Sequence, residues 1–205
     1  MQPAPLARIL LFALSLVAVG ALAAPPAAAQ AKFEIKPVAE KRIKQLPPGP
    51  LYWRIETLPS LAQAQAQAAS HATALAAEVS GKAWLFTLAA KGGATPGASR
   101  VAEVGPVPVI GAPEYLLRIN HAGGPPQSKT PVHSHPGSEA FYVLTGRLGQ
   151  RTPHGTAYAE AGQAMNGHGA DMPMEVFSAG TTDLDQLVMF VVDATRPFSS
   201  PAKFE

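Results

Sequence analysis

His133, His135 and Glu139 fall within seven residues of one another and are followed by Gly146. On an extended segment, residues two apart project to the same side, so the two imidazoles share a face. Pro136-Gly137-Ser138 reads as a turn, which returns Glu139 toward those imidazoles at the head of the next strand. Two neutral nitrogens and one carboxylate converging from adjacent strands outline a divalent-metal site. A polar turn whose histidines are neighbours by chance is the plainer reading. The apolar run Ala140-Phe-Tyr-Val-Leu144 ending at Thr145-Gly146 favours the metal.

The stretch from His133 to Gly146 resembles the first signature of the cupin family: His-x-His, three or four residues, Glu, six residues, Gly. Cupins usually carry a glycine six residues before the first histidine; Gln127 stands there, with Gly123-Gly124 offset from it. The resemblance covers the C-terminal half of the chain. It implies an all-β fold, a small jelly-roll barrel of the single-domain (monocupin) type, with an accessory N-terminal helix and arm. It also implies a divalent transition metal (Fe, Mn, Ni or Zn) on His133, His135 and Glu139, a small-molecule substrate or ligand, and a homodimer. Oxygenase, isomerase and lyase activities all occur among cupins.

The second cupin signature places a third histidine after a glycine and a proline, with an asparagine four residues on. The corresponding stretch runs from Gly162 to Gly180. Aligned on Pro173, it puts Met174 at the histidine and Ser178 at the asparagine; aligned on the glycines, it puts Met172 at the histidine. The third imidazole is absent either way. His168 is a further candidate ligand, although six extended residues, about 20 Å, separate it from Met174. A thioether is a soft ligand suited to copper(I), so Met174 reads as an apolar wall. The remaining two histidines and one carboxylate leave coordination positions open for water, dioxygen or a chelating substrate. Loss of one ligand equally suits a non-catalytic barrel that binds or senses a small ligand with weak or no metal.

Around this motif the chain of 205 residues has room for one domain with extensions. Residues 1–29 read as a signal peptide: Arg8, an apolar run from Ile9 to Ala23, then Ala21-Leu-Ala23 and Ala27-Ala-Ala29 as small-x-small sites. Pro25-Pro26 closes the run, and no cysteine follows it to carry a lipid anchor. The expected mature protein is periplasmic or secreted and free of the membrane. With no cysteine anywhere, disulfides, thiolate metal sites and cysteine nucleophiles are excluded. Arg8 is the only charge in the leader, so its removal takes the formal balance from +2 to +1. A near-neutral chain has no electrostatic basis for binding nucleic acid.

Residues 30–50, charged and ending in Pro47-Pro48-Gly49-Pro50, read as an arm or linker. Residues 51–81 read as a short strand followed by a helix over 60–80. Ser60 would cap that helix and Gly81 stop it, with Leu61, Ala64, Ala68, His71, Leu75 and Val79 on one stripe. From residue 82 to 195, short β-like runs alternate with glycine and proline turns, the pattern of a sandwich or barrel. Residues 196–205 read as a tail. Tyr142 points to the opposite face from Glu139 and should pack in the core. Arg118 and Arg151 are candidate anion clamps that solvent exposure would explain as well. His71, His121, His154, Asp183 and Asp185 fit packing or turn roles.

Overall fold

The computed structural model describes Met1 and residues 32–204, so the expected leader lies outside the described residues except for Met1. The chain is almost entirely β. The strands are β1 (Glu34–Ile43), β2 (Tyr52–Leu58), β3 (Ala74–Val79), β4 (Lys82–Ala89) and β5 (Ser99–Val104). Then follow β6 (Tyr115–Gly124), β7 (His133–Ser134), β8 (Gly137–Thr145), β9 (Arg147–Thr152) and β10 (Gly155–Glu160). The last are β11 (Ala164–Asn166), β12 (Glu175–Ser178), β13 (Leu184–Asp193) and β14 (Ser200–Pro201), and the helix is α1 (Leu61–Ser70).

Two sheets face each other as a jelly roll. One has the order β1-β6-β13-β8-β11 and the other β10-β9-β12. The second sheet continues through residues 127–134, because Ser178 N donates to Ser128 O, Thr130 N to Val176 O, and His133 pairs with Met174. It ends at the β7–β14 pair. Among the described residues no sheet closes on itself through hydrogen bonds, and the expected jelly roll is built as two facing sheets. Strict alternation on the middle strands explains why it is stable. Phe141, Val143, Val188 and Phe190 face inward and meet Leu148, Ala159 and Val176 of the opposite sheet.

The alternate residues of the same strands, Leu117, Ile119, Leu187, Met189 and Val191, face outward and are equally buried. They pack on a third sheet, β3-β4-β2-β5, through Trp53, Ile55, Trp84 and Phe86. Helix α1 covers the far side of that sheet with Ala64 and Ala68.

Three expectations are corrected here. The helix over 60–80 stops at Ser70, and Ala74–Val79 is a strand. Alanine favours helices only weakly, and pairing with β4 buries Leu75, Ala77 and Val79 against Trp84 and Phe86. The C-terminal turn of α1 is held by Lys41, whose Nζ donates to the carbonyls of Ala68 and His71. Gly81 belongs with Ser80 to a two-residue hairpin turn, both at positive φ, so a division at residues 81/82 falls inside the β3–β4 hairpin. The arm at 30–50 contains β1, a ten-residue edge strand on β6.

Candidate functional site

The turn after His135 does what its residues suggested. β7 ends at Ser134, β8 begins at Gly137, and His133, His135 and Glu139 all line one cavity between the facing sheets. Gly146, the glycine that ends the motif, sits at φ +74° between β8 and β9, where a Cβ would lie 2.5 Å from Asp183 O. Gln127 also holds a positive φ, 69°, and its N–H donates to Ser178 O. Gln127 therefore occupies a left-handed backbone position that glycine adopts more readily.

The histidine rings lie 5.0 Å apart between centroids. His133 Nδ1 donates to Pro131 O at 2.8 Å and His135 Nδ1 to Phe198 O at 2.6 Å. Carbonyl oxygens only accept, so each bond places the ring proton on Nδ1 and leaves the Nε2 lone pair free, as in metal-ligating histidines. Phe198 also packs its ring on His135 and on Phe190, with centroids 4.8 Å and 5.0 Å away. The expected tail is therefore a wall of the site.

Glu139 is 2% exposed, and Gln150 Nε2 donates to its Oε1 at 2.5 Å. Burial pushes its carboxyl up to about 8, against the lowering effect of the Gln150 bond. Burial pulls His135 down to about 4; the Phe198 carbonyl opposes this, and the charges of His133 and Arg118 add to it. At neutral pH Glu139 is thus protonated and His135 uncharged. His135 Nε2 and Glu139 Oε2 stand 4.0 Å apart. As placed, no group of three His, Cys, Asp or Glu among the described residues is close enough to enclose an ion. The donor chemistry fits a divalent cation nonetheless: one nitrogen lone pair on each ring and an acid that a cation would ionise.

Met174 pairs across strands with His133 and is buried, its Sδ 3.5 Å from Gln150 Nε2. It is a buried apolar side chain behind His133 and not, as the sequence suggested, a wall of the cavity. His168 does not line the cavity; its ring faces His154, with centroids 6.4 Å apart. Arg118 stands behind Phe198, 3.8 Å from its ring centroid, and pairs with Glu40. Arg151 pairs with Glu175 and covers Phe204, so neither arginine enters the cavity. Tyr142 packs outward on Trp84, and His121 contacts Asp185.

The cavity holds about 320 Å³, room for a small organic molecule. Its walls are largely apolar, with Phe33 just before β1, Ile35 of β1 and Pro201 of β14 among them. Sequence reasoning missed Gln150 and Phe198. It also missed Asn120 and Gln186, which line the cavity from β6 and β13. The last two could have been found as amides at the inward parity of apolar strands.

No protein-family model and no curated protein matches the chain. Solved structures resemble it in part. A cupin-like protein from Thermotoga maritima is 13% identical, with a TM-score of 0.38 over 43% of this chain and 65% of that one. A DMSP lyase from Ruegeria pomeroyi is 16% identical, at 0.36 over 42% and 43%. A polyketide cyclase from Streptomyces resistomycificus is 22% identical, at 0.35 over 43% and 62%. The chain spans less than two thirds of the length of each of these structures. Its own strand order defines the class: an all-β jelly roll.

Proposed function

We propose that the chain is an exported cupin-type protein whose cavity binds a small organic molecule beside a divalent transition metal. Iron, manganese, nickel and zinc are the candidates, held by His133, His135 and Glu139. The observation that carries this reading is the pair of Nδ1 bonds to Pro131 O and Phe198 O, which leave both Nε2 atoms as free donors beside a buried acid. When bound, the metal would polarise a substrate oxygen. The chain's own part is to orient the rings through backbone carbonyls, to hold the Glu139 proton until a cation displaces it, and to exclude water with Phe190 and Phe198. The apolar leader followed by small-x-small sites supports export.

A second reading, a ligand-binding barrel without catalysis, is favoured by Met174 in place of a third imidazole and by the 4.0 Å gap between His135 and Glu139. Elemental analysis of the purified protein beside a His133→Ala/His135→Ala variant decides between them. Metal near one ion per chain that is lost in the variant supports the first reading. Equal metal content in both leaves only the second.

A further inference from the structure

Inward-facing positions form rows across β6, β13 and β8. One row is Arg118, Phe190 and Glu139; the next is Asn120, Val188 and Phe141; the third is Ala122, Gln186 and Val143. The first row carries the acid of the proposed metal site, and each of the next two carries a carboxamide. Asn120 is 4% exposed and Gln186 0%, and both line the cavity. Among the described residues nothing hydrogen-bonds to Asn120 Oδ1 or to Gln186 Oε1 and Nε2. Unpaired amides in an apolar chamber lower stability, and an apolar side chain of the same shape would serve the core better. Two of them in successive rows of one cavity are groups awaiting a ligand.

We propose that Asn120 and Gln186 recognise a neutral end group that both donates and accepts hydrogen bonds, a hydroxyl or a carboxamide. Each amide offers a donor and an acceptor, which only such a group can meet together. A carboxylate or phosphate end is disfavoured, because no lysine or arginine lines the cavity; its ionisable residues are His133, His135 and Glu139. At about 3.3 Å per residue along the strand, Asn120 lies roughly 7 Å and Gln186 roughly 13 Å from the Glu139 row. The ligand is therefore elongated. A neutral polar group sits at one end, an apolar stretch lies against Phe141 and Val188, and the other end reaches the histidines. This inference names the ligand class of the cavity in the proposed function and rests on that cavity, not on the metal.

The test uses protein stripped of metal with a chelator, so failure of the metal reading leaves it intact. Hexanamide and hexanoate have the same shape and differ in charge and in donor capacity. Calorimetry or ligand-observed NMR should show hexanamide binding at least about tenfold tighter to the wild type. In Gln186→Met and in Asn120→Leu that preference should fall to within about threefold, because the hydrogen-bonding groups are gone. Both variants remove unpaired polar atoms and should melt at or above the wild-type temperature. Equal affinity for the two probes, no detectable binding of hexanamide, or a preference retained in both variants overturns the inference. Failure of Gln186→Met to fold overturns it too, since the amide would then be structural. A protein that loads metal but shows no amide preference loses this inference alone.

Discussion

Two glutamates of this chain are buried to nearly the same degree, Glu56 at 1% and Glu139 at 2% exposure, yet their surroundings differ. Glu56, on β2, is paired with Arg54 at 3.1 Å and Arg100 at 3.7 Å and takes a hydrogen bond from the Thr95 hydroxyl at 2.6 Å. Glu139, on β8, has one neutral amide donor and an uncharged imidazole 4.0 Å away. Burial is common to both; the counter-charge is present for one and missing for the other. A charge buried with its partners is part of the scaffold, whereas an acid buried without one is suited to an incoming cation.

The largest effect that would sharpen this contrast is on stability. Glu56→Gln leaves the buried Arg54 guanidinium without its partner and should cost about 3 kcal/mol in urea unfolding. Glu139→Gln mimics the protonated acid and should cost far less in the metal-free protein at pH 7. Equal losses in the two variants would erase the distinction.

A smaller effect is pH-dependent. Glu139 holds its proton more tightly folded than unfolded, so its contribution is full below the ordinary carboxylate range and declines as pH rises through about 8. His135, lowered to about 4, acts the other way, losing stability only as pH falls below 6.5. Between pH 6.5 and 8 Glu139 acts without it, and metal-free protein should lose about 2 kcal/mol that Glu139→Gln does not lose. Parallel curves for the two proteins across that window would contradict the environment described for Glu139.

The smallest effect tests the scaffold at Gln127. Glycine there relieves a left-handed backbone at φ 69° and should add up to about 1 kcal/mol to thermal stability, with metal content unchanged. A lower melting temperature would mean that the glutamine side chain contributes more than the backbone strain costs.

That His133, His135 and Glu139 share one cavity was legible because period-two alternation and a turn bring residues close in sequence to one place. β6, β8 and β13 were legible as apolar runs, buried on one face against the third sheet and on the other against the cavity, whereas β9 and β11 were not read as strands. β1 was hidden because its side chains are mostly exposed, and what holds it is backbone pairing with β6. β3 was hidden because Ala74–Val79 is helix-prone in isolation and becomes a strand only beside β4. Phe198 could not be seen as part of the site, since its contact with His135 spans 63 residues. Gln150 was equally remote, reaching Glu139 from β9.

The most direct measurement is a calorimetric titration of Zn²⁺ into metal-free protein at pH 7, run in two buffers of different ionisation enthalpy. One ion per chain should bind with release of about one proton, from Glu139, and the proton release should vanish in Glu139→Gln. Absence of saturable binding, or binding undiminished in His133→Ala/His135→Ala, would contradict a cation site at these three residues.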